Sequence, residues 1–254
     1  MRKDDEMKKT LCLILMLSLL CTPLCACVKE SPEPVFTPPT VAPEDREKTG
    51  EIEYVGLMFA LYNDYTCELL GPSETAQQES VLDIPGTCEK HTLVRICKNA
   101  FAKSAYTSVT VPEGVVAIED YAFQKSDVRT VTLPASLKTL GVECFDNCLS
   151  LEKVTFQSGV ETIPTAAFYG CEKLRELVLP EGVKTIGEEA FASLKQLEKL
   201  QLPESLETIE AYAFWSAGTE NLEITVPAGV KTIGEEAFAA TKAKVTYLNG
   251  EAKQ

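Results

Sequence analysis

The chain repeats an alanine–phenylalanine dipeptide, or a close variant of it, at steps of 22 to 24 residues. The seven copies are Ala100-Phe101, Ala122-Phe123, Cys144-Phe145, Ala167-Phe168, Ala190-Phe191, Ala213-Phe214 and Ala237-Phe238. An aliphatic residue stands five positions before each phenylalanine, and a β-like stretch that usually ends in proline lies further upstream. Because one such unit cannot bury its own apolar face, neighbouring units must stack into a continuous core. The period therefore predicts a solenoid.

The unit LRELVLPEGVKTIGEEAFASLKQ shows how each repeat is expected to fold. Leu177 and Leu179 are two positions apart, the period that places side chains on the same face of a strand. Proline then ends the strand, and the glycine that follows favours a turn. Ile186 and Phe191 return to the same interior through a short bridge and, we expect, one helical turn at EEAF.

The pattern LxxLxLPxxLxxIxxxAFxxC resembles the BspA-like leucine-rich repeat, a class found on exported and surface proteins of bacteria and some parasites. The resemblance extends over about residues 81–248. It implies an α/β repeat solenoid, a right-handed leucine-rich-repeat coil with a parallel β-sheet on one face and short bridges or helical turns on the other. It also implies extracellular recognition, such as adhesion to matrix proteins or to other cells. A repeat fold does not by itself identify the ligand.

The N-terminal region predicts export and anchoring. Residues 1–26 combine two lysines, a short apolar run and a small-residue cleavage region, which is typical of a signal peptide starting at Met1 or Met7. The residues just before Cys27 resemble the bacterial lipobox, and the resemblance implies lipidation of Cys27. An ordinary secretory signal cut nearby is the alternative. Residues 27–50 are polar and proline-rich, so we expect a flexible tether.

The rest of the chain divides into a cap and the repeats. Residues 51–93 are expected to form an N-terminal cap, with a β-hairpin around Asn63-Asp64 and a degenerate first repeat. Residues 94–254 are expected to form the leucine-rich-repeat solenoid, closed by a C-terminal strand. The terminal units should be atypical, because their outer faces meet water.

The net charge and the motifs exclude several functions. A formal net charge of -14 argues against nucleic acid, and against adhesion to anionic lipid by the folded part. Membrane attachment would come from the lipid on Cys27. The run GVKTIGEEAFA occurs twice, and Gly182 and Gly187 have the spacing of a phosphate-binding loop, but Glu188 and Glu189 follow where that loop needs lysine and a hydroxyl. We expect no cofactor, no metal and no catalysis.

The cysteines and the single histidine leave two questions open, the pairing of the thiols and a possible catalytic site in the cap. Cys148 and Cys171 each lie three residues after a repeat phenylalanine, so we expect buried free thiols, with a disulfide between them as the alternative. Pairing of Cys67 with Cys88 or Cys97 is also open. A hydrolase site in the cap around His91, Cys67 and Cys88 is a second alternative function.

The outward face of the long strands is the predicted recognition surface, because solenoids commonly bind partners on the strand face. Strand alternation assigns to it Thr110, Thr132, Lys153, Thr155, Glu176, Val178, Lys199, Gln201 and Thr225. Opposite charges on neighbouring strands also stabilise a sheet, so a purely structural ladder is the alternative. We expect a monomeric, lipid-anchored cell-surface protein that binds a protein or glycan, with an envelope structural or assembly role as the alternative.

Overall fold

The computed structural model describes residues 46–74, 80–157 and 159–248. The predicted signal peptide 1–26, the lipidation site Cys27 and most of the tether 27–50 lie outside the described residues. All described residues belong to one compact unit within Pro39–Gln254. Within the described ranges, no helix has the length and apolar character needed to cross a membrane.

An antiparallel three-stranded cap opens the fold. It consists of β1 (Lys48–Tyr54), β2 (Leu57–Tyr62) and β3 (Thr66–Pro72), and the last two strands form the hairpin expected around Asn63-Asp64. In its turn, Asp64 Oδ1 accepts a hydrogen bond of 3.0 Å from the Thr66 N–H. Strand β1 begins three residues inside the range assigned to the tether.

The degenerate first repeat follows the cap and joins it to the solenoid. It contains β4 (Val81–Asp83), β5 (Thr87–Cys88) and β6 (His91–Ile96). β3 pairs in parallel with β6, so hydrogen bonding continues directly from the cap into the repeats. β5 folds back on β6 in an antiparallel pair that uses the sequence between Pro85 and Val94.

The strands of the solenoid are of two kinds, and both pair in parallel with the neighbouring unit. The long strands are β7 (Ser108–Thr110), β9 (Thr130–Leu133), β11 (Lys153–Phe156), β13 (Glu176–Val178), β15 (Lys199–Gln201), β17 (Glu223–Val226) and β19 (Lys244–Tyr247). The bridge strands have two residues each and are β8 (Ala117–Ile118), β10 (Thr139–Leu140), β12 (Thr162–Ile163), β14 (Thr185–Ile186), β16 (Thr208–Ile209) and β18 (Thr232–Ile233).

The two kinds of strand form separate sheets. The long strands give a sheet in the order β4-β7-β9-β11-β13-β15 and a detached pair, β17-β19. The bridge sheet continues from the cap as β1-β2-β3-β6-β8-β10, with β5 on β6, and resumes as β12-β14-β16-β18. Directly after β14 and β18, the N–H groups of Gly187 and Gly234 donate to a carbonyl of the preceding unit. The equivalent residue after β12 is Pro164, which has no N–H. The missing hydrogen bond accounts for the break in the sheet after β10.

The repeat phenylalanines form one stack through the core. We number the units as coils 1 to 7 by their phenylalanines, which are Phe101, Phe123, Phe145, Phe168, Phe191, Phe214 and Phe238. Adjacent rings lie between 5.1 and 5.6 Å apart, centroid to centroid, in stacked geometry. Tyr106 and Tyr247 meet the first and last rings edge-on. The predicted repeat core is confirmed.

The expected helical turn at EEAF is wrong, since no helix occurs in the described residues. The segment around each phenylalanine, which we call the arc, instead has a positive φ two residues before and two after the ring, as at Glu189 (φ 54°) and Ser193 (φ 61°). Between these residues, Phe191 N–H donates to the Ala213 carbonyl of the next coil at 2.9 Å. A helix would keep such donors within its own unit. The left-handed residues instead turn them toward the neighbour.

The twice-occurring run has a packing explanation. A Cβ added to Gly187 would lie 2.8 Å from the Thr165 nitrogen, and one added to Gly234 would lie 2.3 Å from the Ala211 nitrogen. Both glycines therefore let the backbone approach the preceding coil. Coil 6, between them, has Glu210 at this position, and its Oε2 accepts a hydrogen bond of 3.0 Å from the Glu188 N–H.

Candidate partner-binding surface

The long strands place the predicted site residues on one outward face. In β13, Leu177 is buried in the core, whereas Glu176 and Val178 on either side of it are exposed. The same alternation applies along the sheet. It leaves one predicted residue half-buried, Thr132, and exposes Thr110, Lys153, Thr155, Glu176, Val178, Lys199, Gln201 and Thr225.

The register between strands arranges these residues in two columns. Thr110, Thr132 and Thr155 lie opposite one another on consecutive strands, and Val178 is opposite Gln201. The second column contains Lys153, Glu176 and Lys199 in the same way. We call the first the hydroxyl column and the second the charge column.

Thr225 lies apart from this sheet. It is on β17, which pairs with β19 and not with β15. Sequence reasoning missed two further members, Asp83 opposite Thr110 and Thr246 opposite Thr225. The signals were the strand-like VLD before Pro85 and VTY near the C terminus.

The charge column is internally paired. Lys199 forms an ion pair with Glu176, and this hydrogen bond, together with the charges of Lys199 and Lys153, lowers the pKa of the Glu176 carboxyl. Beyond the break in the sheet, Lys244 lies 3.6 Å from Glu223. Because these charges satisfy one another across the strands, they support coil register as much as recognition.

The hydroxyl column differs from the charge column in its hydrogen bonding. In this column, no side chain of Thr110, Thr155 or Gln201 makes a hydrogen bond to another residue in the described part of the chain, and the same holds for Thr225 on the detached β17. These groups are exposed, carry donors and acceptors, and are held at fixed spacing by the strands. They can therefore bond an external ligand without breaking an internal contact.

A charged cluster holds the strands of the cap together. The guanidinium of Arg46 lies 3.5 Å from the ring centroid of Tyr62 and forms ion pairs with Glu68 and Asp64. Tyr62 Oη donates a hydrogen bond of 2.8 Å to Glu68, and burial, reinforced by that carboxylate, raises the pKa of Tyr62 to about 12. Arg46 falls in the range assigned to the tether, so sequence reasoning missed this structural cluster.

The two cysteines of the hydrolase alternative, Cys67 and Cys88, are not activated as nucleophiles. Cys88 lies opposite His91 in the β5–β6 pair, and both Cys88 and Cys67 are buried. Burial raises the pKa of the Cys67 thiol to about 12 and also raises that of Cys88, so both thiols are protonated at neutral pH. Within the described residues, no three metal-ligating side chains form a group that could hold a metal ion.

The six cysteines of the described residues are free thiols. Cys148 Sγ lies 3.1 Å from the Phe123 carbonyl oxygen, and Cys171 Sγ lies 3.2 Å from that of Phe145. Burial holds the pKa of Cys171 well above its ordinary value. The pair thus fills the core position after each arc, as expected, and contains no disulfide.

The fold and its surface define a class of protein, a parallel β-solenoid that presents a strand face. A family model described as the BspA type leucine rich repeat region matches residues 94–220 in six copies. This chain belongs to that family. A search of curated proteins returned no match.

Solved structures share the fold. A leucine rich cell surface protein from Faecalibacterium prausnitzii is 27% identical over 79% of this chain and 55% of its own, with a TM-score of 0.68. A leucine-rich repeat protein from Eubacterium ventriosum is 21% identical over 80% of this chain and 53% of its own, with a TM-score of 0.67. The chain thus spans about half the length of both.

Proposed function

We propose that this protein is a non-catalytic, exported cell-surface protein that recognises a protein or glycan partner with its strand face. The observation that carries the proposal is the hydroxyl column, in which Thr110, Thr155 and Gln201 are exposed and have no hydrogen-bond partner among the described residues. The parallel strands fix the backbone beneath this row, so little backbone order must be gained on binding.

The family supports a surface role. The Faecalibacterium relative is described as a cell surface protein, and it is 27% identical to this chain. The lipobox-like sequence before Cys27 gives a route to the same location, with lipid on Cys27 as anchor and the proline-rich residues between Cys27 and Arg46 as tether. We propose that the protein acts as an anchored monomer.

Charge-matched substitutions on the two sheets test the strand face. The double variant Thr155→Arg/Gln201→Arg alters the hydroxyl column, and Thr162→Arg/Thr232→Arg makes the same charge change at exposed positions of the bridge strands. The mature chain is used to capture partners from matrix-protein and envelope extracts. We expect the first variant to lose its captured partners and the second to retain them.

Other outcomes would contradict the proposal. Equal capture by both variants would exclude the strand face. A lower melting temperature confined to the first variant, with capture unchanged, would support the structural-ladder role. Protease treatment of intact cells separates surface display from an envelope role, because an envelope protein stays protected. Cys27→Ala should move the protein out of the membrane fraction, and unchanged fractionation would exclude the lipid anchor.

A further inference from the structure

Several charged side chains form ion pairs with the neighbouring coil. On the bridge side, Lys184 lies 3.2 Å from Glu161 and Lys231 lies 2.5 Å from Glu207. The arcs of coils 5 to 7 contain glutamates but no lysine or arginine. There the twice-occurring run places Glu188-Glu189 on coil 5 and Glu235-Glu236 on coil 7, and none of the four forms an ion pair with a cation of the described residues.

Two aromatic side chains lie on coil 6 between these glutamate pairs. Tyr212 comes two residues before Phe214, and Trp215, the single tryptophan of the chain, comes one residue after it with 38% of its side chain exposed. The carboxylates of Glu236 and Glu235, followed by those of the other pair, raise the pKa of the Tyr212 hydroxyl. Backbone hydrogen bonds place this part of coil 6 between the two pairs, because the Glu189 N–H donates to the Ala211 carbonyl at 3.1 Å and the Tyr212 N–H donates to the Glu235 carbonyl at 3.0 Å.

The chain itself shows what such an arc binds. Tyr121 of coil 2 occupies the repeat position of Tyr212, and Lys98 from coil 1 places its ammonium 5.2 Å from the Tyr121 ring centroid. This distance is within the range of a cation–π contact. The repeat position of Lys98 is occupied in coil 5 by Glu188. A cation therefore contacts the tyrosine in coil 2, whereas for the equivalent tyrosine in coil 6 a glutamate occupies the repeat position of that cation.

We propose that this aromatic and acidic surface binds a lysine- or arginine-bearing segment of a protein partner, and we call it the arc surface. Its residues are Tyr212, Trp215, Glu188, Glu189, Glu235 and Glu236. Tryptophan and tyrosine faces attract ammonium and guanidinium groups, and the four carboxylates favour positive charge at the same place. The arc surface is separate from the strand face, so either proposal can fail without the other.

A defined probe tests the arc surface. A tryptophan-free peptide of alternating glycine and lysine is titrated against the full mature chain, with the glutamine version of the peptide as its control. The emission of Trp215 reports binding at the site, and the anisotropy of a labelled peptide gives the affinity. Each exposed cation–π contact contributes about 2- to 5-fold in affinity, so Tyr212→Ala and Trp215→Ala should each weaken binding by that factor.

Charge-matched variants separate a specific site from general attraction to an acidic protein. Glu188→Gln/Glu235→Gln should weaken binding about 10-fold, whereas Glu152→Gln/Glu198→Gln, which alters exposed glutamates elsewhere, should leave it unchanged. Equal weakening by both pairs, or none by the first, would overturn the proposal.

A third variant supplies the cation from within the chain. Glu188→Lys reproduces the arrangement of Lys98 over Tyr121, so it should block the peptide and leave the melting temperature unchanged. Continued binding of the peptide by this folded variant would also overturn the proposal. Capture by the strand face should be unaffected in every arc variant, which keeps the two tests independent.

Discussion

Removing one ring from the middle of the phenylalanine stack tests what holds the coils together. Phe145 is fully buried, and its ring centroid lies 5.1 Å from that of Phe123 and 5.2 Å from that of Phe168. Truncating a buried phenylalanine to alanine costs about 3–5 kcal/mol. We expect Phe145→Ala to lower the free energy of unfolding by about that amount, a large share of the roughly 5–15 kcal/mol of an ordinary domain.

Two companion variants separate stacking from burial. Phe145→Leu keeps most of the apolar volume but removes two ring pairs, each worth about 0.5–1.5 kcal/mol beyond its buried area. It should therefore cost about 1–3 kcal/mol. Phe238→Ala should cost less than half as much as Phe145→Ala, because Phe238 is only partly buried and stacks on one phenylalanine, Phe214.

Urea unfolding measured with two probes gives the readout. Trp215 fluorescence reports coil 6, and far-UV circular dichroism reports the whole solenoid. Since each coil contacts its neighbours alone, a defect at Phe145 should separate the two transitions, which should coincide in the unmodified protein. A cost below about 1 kcal/mol for Phe145→Ala, or an equal cost for Phe238→Ala, would refute the stack as the main connection between coils.

Three further predictions concern packing, acid stability and thiols. Gly187→Ala should cost about 1–3 kcal/mol, because the added methyl meets the backbone of coil 4, and an unchanged melting temperature would contradict that close approach. Burial raises the pKa of Glu68, but the Arg46 hydrogen bond and charge outweigh it and hold that pKa below its ordinary value. The resulting stability is present above the unfolded-state pKa of the carboxyl and is lost as the pH falls through its folded-state pKa. The melting temperature of Arg46→Gln, measured at a series of decreasing pH values, should therefore fall less steeply than that of the unmodified protein. Cys148 and Cys171 should resist a thiol reagent in the folded chain and react after unfolding without reductant; a requirement for reductant would indicate a disulfide.

The sequence was sufficient for the repeat core because its signal is periodic. Leu177, Ile186 and Phe191 are buried as their spacing predicts, and the Asn63-Asp64 hairpin is present. The prediction of a helical turn at EEAF was wrong because it relied on local helix preference, whereas hydrogen bonds between coils set the conformation of this segment. Left-handed backbone at Glu189 has no sequence signal, since the usual glycine is absent there.

The sequence by itself determined that the chain stacks equal units around a phenylalanine core, because apolar residues at a fixed period can be buried in no other way. Which side chains meet across units was decided only by the tertiary structure. Tyr212 lies between two glutamate pairs, and Thr155 lies beside Thr132, because the parallel register brings together residues about 23 positions apart. That register depends on hydrogen bonds and close approaches between coils, such as the one at Gly187, and these exist only once the coils have stacked.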